Sequence, residues 1–459
     1  MGEFEDAWED EIEDDDEGEV VMAPDSDDED YEGDDIPMEE DEEEEEEKLN
    51  VYLPGQQLGP DEVLVADNSA YDMLHTMNAE WPCLSFDILP DKLGLNRTTY
   101  PATAYIVAGS QAEKAKDNKI YVMKMSQLHR TKNDDNDMDD DDDDDNDDLD
   151  DDPLLESKTV PHFGGINRIR RMPHPEAKIV STWAETGKVH IWNLSEVVDS
   201  IDTPGMAAPR DLKPIYTVNN HKTEGYAMDW STLGVGRLLT GDCSNKIYMT
   251  TSNETSFVTE SQAFVGHQDS VEDIQWSPTQ KGVFASASVD GTIKVWDTRT
   301  KQKAQISVLA HDSDVNVISW NRTADHLLAS GSDSGVFSIW DLRKWLSLGP
   351  GAQPEPAATF NWHSKSITSI EWHPSESSVF AVAGDDDQVT IWDLALEADH
   401  EEVTIASGAQ GQQVTVPPQL LFIHQGQKSI KEIHWHPQIT GAMITTSLDG
   451  FNVFKTINC

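Results

Sequence analysis

The amino-acid sequence predicts an all-β fold, a seven-bladed β-propeller, with a short N-terminal helix and two disordered acidic tracts. From residue 160 onward, a unit that begins with His and ends with Trp recurs at a spacing close to that of a four-stranded propeller blade. Alternating apolar residues within each unit predict half-buried strands. Two blocks carry only negative charge, and such blocks cannot bury enough apolar surface to fold.

The acidic blocks account for half of all the acidic residues. The chain of 459 residues has 88 acidic and 32 basic residues, a formal net charge of -56. Residues 1–47 hold 29 acids and residues 134–152 hold 15, and neither block contains Lys or Arg. We expect a disordered acidic tail over residues 1–50 and a disordered acidic loop over residues 133–153. Because such blocks repel phosphates and anionic lipids, their expected partners are basic proteins, not nucleic acid or membranes.

The cysteines and the first residues favour a protein of a reducing compartment. Cys83, Cys243 and Cys459 are far apart and form no CxxC pair, so neither a disulfide framework nor a metal site is predicted. The N-terminus lacks the basic and apolar regions of a signal peptide, and no apolar stretch approaches ~18 residues. We expect a monomer without a cofactor that is neither secreted nor membrane-spanning.

Six blades follow from the repeated His. The units begin at His162, His221, His267, His311, His363 and His424. The clearest unit runs from Gly266 to Arg299 and resembles a WD repeat, whose structural hydrogen-bonded tetrad would be His267, Ser286, Asp290 and Trp296. The first three are also residue types of a hydrolase triad. Since they recur at the same offsets in several units, a structural role is favoured and no enzymatic activity is expected.

Several units keep the tetrad only in part. Blade 5 has Ser334 where the turn Asp belongs, and blade 6 has Val382 in place of the Ser. The unit that starts at His221 ends on Thr250 instead of Trp. These departures gain no reactive group, so they indicate weaker clamps rather than a catalytic site.

The remaining blade and the closure of the ring are predicted upstream. Residues 99–128 contain two alternating apolar runs and are assigned to blade 1, which places the acidic loop between blades 1 and 2. Residues 84–89, LSFDIL, are expected to close the last blade, because closure removes exposed sheet edges. The propeller would then span residues 91–459.

A short amphipathic helix is predicted over residues 69–78, just before the expected closing strand. Ala70, Tyr71, Leu74 and Met77 would share one face of this helix. Helix and closing strand together would form an N-terminal segment over residues 51–90.

The segment EWPCLSFDIL at residues 80–89 resembles the N-terminal signature of the histone-binding WD-repeat proteins. The sequence is more similar to their relatives, the glutamate-rich WD-repeat family. The shared features are VYLPG at 51–55, the acidic head before it, NRT at 96–98, KIYVMKMSQLHRTK before the acidic loop, and the weak last unit SLDGFNVFKTI. The resemblance covers essentially the whole chain.

The resemblance implies a chaperone of ribosome biogenesis in the nucleus and nucleolus, with room for a cytoplasmic pool. Such a protein binds the newly made large-subunit ribosomal protein of the L-three type. It shields this client from aggregation and premature RNA contact and delivers it to early pre-60S assembly factors. From the residues themselves, the sequence supports an acidic holder of a basic client.

Recognition of one client also needs a shaped surface, because charge alone would bind any basic protein. The residues that end the second strands, together with the loops before the first strands, are expected to lie at one rim. The predicted client contacts there are Glu185, Asp269, Asp314, Asp333 and Asp385, while Val289 occupies the same kind of position in blade 4. The tracts would add Asp139, Asp140, Asp141, Asp142, Asp143, Asp144 and Asp145 from the loop and Glu42, Glu43, Glu44, Glu45, Glu46 and Glu47 from the tail.

Two other functions remain open. The N-terminal signature and the acidity also fit a histone chaperone, with core histones as partners. Two segments, from Trp296 to Arg299 and from Trp340 to Arg343, resemble the WDxR box of substrate receptors of cullin-type ubiquitin ligases. Identification of the stoichiometric partner as a ribosomal protein, a histone or a cullin-ligase adaptor would separate the three hypotheses.

Overall fold

The computed structural model describes residues 67–131, 152–174, 177–209, 211–300, 303–347, 352–397, 405–407 and 413–458. Within them, seven antiparallel sheets follow one another along the chain and confirm the predicted seven-bladed β-propeller. The predicted acidic tail lies outside the described residues, as does nearly all of the acidic loop, including Asp139 to Asp145.

Each blade has four strands, which we number from the ring axis outward. Blade 1 consists of Cys83–Ile88, Ala102–Ser110, Lys119–Leu128 and Leu154–Pro161. Blade 2 consists of Ile166–Arg171, Ile179–Ala184, Val189–Asn193 and Tyr216–Val218. Blade 3 consists of Ala227–Trp230, Arg237–Gly241, Lys246–Ser252 and Phe257–Thr259, and Phe264–Val265 also pairs with its third strand.

The remaining blades repeat this order. Blade 4 consists of Val271–Trp276, Val283–Ser288, Thr292–Asp297 and Ile306–Leu309. Blade 5 consists of Val315–Trp320, Leu327–Ser332, Val336–Asp341 and Ala358–Asn361. Blade 6 consists of Ile367–Trp372, Val379–Gly384, Gln388–Asp393 and Leu420–His424, with a separate hairpin of Ile405–Ser407 and Gln413–Thr415. Blade 7 consists of Glu432–Trp435, Ala442–Ser447, Gly450–Thr456 and, from the N-terminal part of the chain, Tyr71–Met77.

The helical elements in the described residues are short. Two 3₁₀ helices span Asn68–Ala70 and Ala115–Asp117, and two α-helices span Ser195–Ile201 and Leu342–Ser347. The first α-helix follows the third strand of blade 2, and buries Val197 and Ile201 in an apolar cluster that continues into blade 1.

The apolar core lies between neighbouring blades. In blade 4, the inner strand Val271–Trp276 buries Val271, Ile274 and Trp276 in a cluster shared with residues of blade 3. The second strand, Val283–Ser288, places Ala285 and Ala287 in the next cluster, against blade 5. Because opposite faces of one sheet pack on different neighbours, each blade stabilises the two beside it.

The predicted helix over residues 69–78 is wrong, because most of this segment forms the strand Tyr71–Met77. Helical spacing placed Tyr71 and Met77 on one face, but Tyr71, Met73 and Met77 also follow the alternation of a strand. All three are buried, with Met73 0% exposed. The backbone of the segment pairs with Gly450–Thr456 and so covers what would be a free sheet edge.

The strand predicted to close the ring was also misplaced. Residues Cys83–Ile88 form the inner strand of blade 1, and the preceding strand Tyr71–Met77 closes blade 7. Both segments are short, alternating and apolar. The earlier one reaches the outer edge of blade 7, which leaves the later one to begin blade 1.

The acidic loop lies within blade 1, and not between blades 1 and 2 as predicted. It connects the third strand to Leu154–Pro161, which pairs with Lys119–Ser126 as the fourth strand. The sequence of this strand, LLESKTVP, carries only a weak alternation, because most of its side chains are exposed or half-buried.

Candidate partner-binding face

The ring has two faces that are defined by its loops. The upper face carries the turn between the second and third strands of each blade and the loop that enters the inner strand. The lower face carries the loops between the first and second strands. This assignment follows from the antiparallel order of the four strands in each sheet.

In blade 4, a network of buried side chains fixes the upper loop to the upper turn. The Nδ1 atom of His267 lies 3.0 Å from Asp290 Oδ2, and its Nε2 atom lies 2.7 Å from Ser286 Oγ. The indole N–H of Trp296 donates to the same Ser286 oxygen at 2.8 Å. Burial lowers the pKa of His267, so the imidazole is neutral at physiological pH and serves as a neutral bridge.

Other blades use variants of this network. In blade 6, Thr390 Oγ1 lies 2.9 Å from His363 Nε2 and accepts a hydrogen bond from Trp392, which replaces the Ser that Val382 cannot supply. In blade 5, His311 Nε2 lies 2.7 Å from Ser330 Oγ, whereas Ser334 Oγ lies 3.0 Å from Ser332 Oγ. The turn of blade 5 therefore has a hydroxyl where the other network has a carboxylate.

The structure brings the predicted strand-end residues to one rim of the upper face. In four blades, the backbone N–H at this position donates to a carbonyl of the loop that enters the inner strand. The bonds are Glu185 to Gly165 at 2.9 Å, Val289 to Ser270 at 3.0 Å, Asp333 to Asp314 at 3.0 Å and Asp385 to Ser366 at 2.9 Å. Side chains from separate blades are thus held at equivalent heights around the ring.

The five predicted acids at this rim differ in how free they are. Glu185, Asp269 and Asp333 are exposed, whereas Asp314 and Asp385 are half-buried. Asp385 accepts hydrogen bonds from Ser429 Oγ at 2.7 Å and Lys431 Nζ at 2.9 Å. Burial opposes ionisation, but these two donors hold the pKa of Asp385 below its usual range. Asp333 accepts a bond from Ser366 Oγ at 2.9 Å, so both residues also join neighbouring blades.

A second acidic group lies nearer the ring axis and was missed from the sequence. Asn167 Nδ2 donates to Glu224 Oε2 at 3.0 Å, and Arg168 Nε donates to the carbonyl of Tyr226 at 2.8 Å. Burial raises the pKa of Tyr226, and Glu224 and Glu272 raise it further. Burial also raises the pKa of Glu272. These carboxylates are partly withdrawn from water, which strengthens their attraction for a cation.

The signal for this inner group is a shift in strand register. In blade 4, Val271 pairs with Ser288 and Asp273 with Ala287, so Glu272 has no partner in the ladder. The same shift leaves Asn167 between Ile166 and Arg168 in blade 2. Such a bulge redirects a side chain. A polar residue directly after the first apolar residue of an inner strand would have indicated these positions.

Below the inner group, charged side chains pair along the ring axis. A cavity of about 180 Å³ is lined by Arg168, Arg170, Asp229, Asp273, Glu432 and His434, among others. Glu432 is 1% exposed and forms ion pairs with Arg168 and Arg170. Burial favours neutral His434, but Glu371 and Glu432 raise its pKa to about 10. Because these charges are matched within the protein, the cavity does not extend the excess negative charge of the upper face.

The two WDxR segments place their arginines at the ends of the third strands of blades 4 and 5. Arg299 Nε donates to Asp297 Oδ1 at 2.9 Å, and Arg343 Nε donates to Asp341 Oδ1 at 2.9 Å. The two arginine side chains are 80% and 68% exposed. They are oriented by their own aspartates and accessible to a partner.

No helix in the described ranges is long and apolar enough to cross a membrane. Among these same residues, no group of three or more His, Cys, Asp or Glu side chains could hold a metal ion.

Comparison with family models and known proteins places this geometry in context. Residues 259–297, 303–341 and 354–393 match the model described as WD domain, G-beta repeat. Residues 61–129 match the model of the histone-binding protein RBBP4, a family that also includes a component of the CAF1 complex. The WD40 β-propeller domain of Doa1 aligns with a TM-score of 0.51 at 15% identity, over 84% of this chain and 96% of that one.

Two curated relatives match over most of their length. Ribosome assembly protein rrb1 of Schizosaccharomyces pombe is 47% identical over 100% of this chain and 93% of its own. Glutamate-rich WD repeat-containing protein 1 of Dictyostelium discoideum is 49% identical over 87% of this chain and 83% of its own.

The fold and the acidic upper face define a WD-repeat propeller built to bind partners. The similarity to relatives across most of their length is more specific than the fold. The chain belongs to the family of ribosome assembly protein rrb1 and the glutamate-rich WD repeat-containing proteins.

Proposed function

We propose that this protein is a ribosome assembly factor of the nucleus and nucleolus that chaperones one basic ribosomal protein, of the large-subunit L-three type. It holds the client on its upper face, keeps it from aggregation and early RNA contact, and passes it to the pre-60S particle. The name of the fission yeast relative supports the assembly role. The acidic upper face supports a basic client, and the protein acts by binding without catalysis.

The observation that carries the proposal is the double arrangement of carboxylates on one face. Glu185, Asp269 and Asp333 lie exposed at the rim, and Glu224 and Glu272 lie half-buried nearer the axis. Exposed rim charges attract a basic segment over a distance and speed its arrival. Carboxylates in a partly desolvated site hold a Lys or Arg side chain more strongly, so the inner group favours retention.

The acidic tracts extend this role in the proposal. Asp139 to Asp145 and Glu42 to Glu47 would occupy the client's remaining Lys and Arg side chains in place of rRNA phosphates. Their contribution should be fast and screened by salt. Deletion of residues 1–47 and 134–152 together should reduce the salt dependence of client binding, and an unchanged affinity and salt slope would contradict this part.

The upper face is tested by neutralising its inner carboxylates. The double variant Glu224→Gln, Glu272→Gln should weaken binding of a purified L-three client at least about tenfold, which corresponds to about 1.4 kcal/mol. The control, Glu254→Gln with Glu397→Gln, removes the same charge at two exposed residues away from the upper face. Isothermal titration at two salt concentrations measures both affinities. Equal affinities for the two variants would exclude the upper face.

Histone binding is the second candidate, favoured by the match of residues 61–129 to a histone-binding family model. The same titrations should therefore include core histones, and isolation of the native complex should identify its stoichiometric partner. A preference for histones over the ribosomal protein would replace the proposed client. A cullin-ligase adaptor as the stoichiometric partner, lost on Arg299→Ala and Arg343→Ala, would instead indicate a substrate receptor.

A further inference from the structure

An unusually long loop stands on the lower face of blade 1. Residues 89–101 connect the first and second strands there, a span of 13 residues. The corresponding loops of blades 3 to 7 have six residues each: 231–236, 277–282, 321–326, 373–378 and 436–441. Blade 1 therefore carries an insertion that the four-stranded repeat does not require.

The insertion is held in one conformation by blade 7. Gln438, 4% exposed, accepts a hydrogen bond from the backbone N–H of Asp91 at 2.9 Å and donates to the carbonyl of Gly94 at 3.1 Å. Arg97 forms an ion pair with Asp91 at 2.6 Å, and its backbone N–H donates to the carbonyl of Gln438 at 2.9 Å. The ion pair is largely buried, with side chains 14% and 5% exposed. These bonds order the loop before any partner arrives.

The backbone of the loop departs from ordinary conformations at its tip. Gly94 has a φ of 112°, and Asn96, which is not glycine, has a φ of 54°. A left-handed non-glycine residue is uncommon and costs conformational energy that the surrounding bonds must offset. The result of this strain is a tip that turns Leu93 and Leu95 outward.

The two leucines are the apolar part of the surface. Leu93 is 59% exposed and Leu95 is 74% exposed. A single exposed leucine needs no explanation, but two on one rigid, inserted loop form a fixed apolar projection. Because the loop is already ordered, a partner that covers the leucines would not have to order it on binding.

The charges beside the leucines are positive. Lys92 is exposed next to Leu93, and Lys178 Nζ donates to the carbonyl of Pro90 at 2.7 Å. Arg171 Nε donates to the carbonyl of Ile88 at 2.7 Å. Burial lowers the pKa of Lys178, and the nearby Arg171 and Lys92 lower it further, as expected of three cations that lie close together. Asp91 is occupied by Arg97.

We propose that this loop, with Lys92, Leu93 and Leu95 at its tip, docks an acidic protein segment that carries apolar side chains. The leucines enter the apolar part of that segment, and Lys92, Arg171 and Lys178 meet its carboxylates. RNA would use the cations but would leave both leucines exposed to water, so a protein partner fits the surface better.

This docking site is separate from the proposed client site. The loop leaves the lower end of its inner strand, whereas the acidic residues lie at the upper ends. An inner strand of six residues spans about 20 Å. One protein molecule could therefore hold a basic client above and an acidic partner below at the same time.

The test uses the full-length chain in the cells that normally make it. A photo-crosslinking residue, p-benzoylphenylalanine, is introduced at position 95, and at position 258 as a control. Val258 is 55% exposed but lies on the fourth strand of blade 3. Mass spectrometry of the adducts gives the composition of the segment that is bound. Adducts on acidic segments rich in Leu, Ile or Phe, at least fivefold above the control, are expected.

Charge reversal next to the crosslinking position supplies the second measurement. Lys92→Glu should reduce the adduct at least fivefold, whereas Lys281→Glu, an exposed change on the lower face of blade 4, should leave it unchanged. A synthetic peptide of the crosslinked segment should bind Leu93→Ser, Leu95→Ser at least fivefold more weakly than the unaltered protein. Both sets of variants should hold the basic client normally, which separates this test from that of the upper face.

Four outcomes would overturn the proposal. They are adducts no stronger than at position 258, adducts on RNA, adducts on basic segments or on a second copy of this chain, and an adduct that Lys92→Glu leaves unchanged.

Discussion

The carboxylate of Glu432 accepts a hydrogen bond from the backbone N–H of Phe86 at 2.8 Å. This bond joins the inner strand of blade 7 to the inner strand of blade 1, next to the point where the chain closes its ring. The same carboxylate accepts a bond from Ser85 Oγ at 2.7 Å and pairs with Arg168 at 2.8 Å, in blade 2. Burial would raise the pKa of Glu432, but Arg170 above all keeps it well below the usual range. One buried anion thus links three blades.

Glu432→Gln should destabilise the propeller by about 3 kcal/mol, because Arg168 and Arg170 would keep their charges without their buried partner. Urea unfolding followed by tryptophan fluorescence measures the loss. Glu185→Gln, an exposed change of the same type, should alter the free energy of unfolding by less than about 0.5 kcal/mol. Equal midpoints for the two variants would show that Glu432 has no special part in closure.

The closing strand is the other half of this junction. Met73, 0% exposed, packs in a cluster that includes Phe451 and Val453 of the third strand of blade 7. Met73→Ala should cost about 2 to 5 kcal/mol, because it removes buried methylene groups and leaves a cavity. Leu93→Ala, on the exposed loop of blade 1, is the matched control. If Met73→Ala unfolded at the same urea concentration as the control, Tyr71–Met77 would not be closing the ring in solution.

The sequence was informative where the fold repeats and weak where it does not. His267 and Trp296 could be placed because their offsets recur, and a repeat tests itself. Residues 71–77 occur once, and their apolar positions fit both helical and strand periods, so only the free edge of Gly450–Thr456 decides between them. The inner carboxylate Glu272 depends on a bulge, which is a property of strand pairing that periodicity does not reveal.

The incomplete network of blade 5 offers a gain of stability. Ser334→Asp should place a carboxylate near His311 Nδ1, as Asp290 is placed in blade 4 at 3.0 Å from His267. The pKa of His311, which burial lowers to about 4, should rise. We expect a stabilisation of about 1 kcal/mol.

A double-mutant cycle with His311→Gln isolates the contribution of the new pair. The gain from Ser334→Asp should disappear in the His311→Gln background, as measured by urea unfolding at neutral pH. A gain of equal size in both backgrounds would assign the effect to the turn itself and not to the histidine.

Buried histidines should make the fold sensitive to mild acid. Burial lowers the pKa values of His190, His311 and His424 to about 4 each. Between about pH 6.5, where histidines of the unfolded chain take up protons, and about pH 4, the unfolded state binds more protons than the folded one. The free energy of unfolding should therefore be constant above about pH 7 and fall as the pH drops below 6.5, by up to about 1.4 kcal/mol per pH unit for each group.

Urea titrations at about pH 7.5, 6.5 and 5.5 measure this slope. His424→Gln should make it shallower, because His424 is 0% exposed and its proton uptake is largely confined to the unfolded state. The variant should also lose some stability at every pH, since Tyr71 Oη lies 2.8 Å from His424 Nδ1, but only the slope reports the titration. A slope unchanged by His424→Gln would mean that this histidine already accepts a proton in the folded ring.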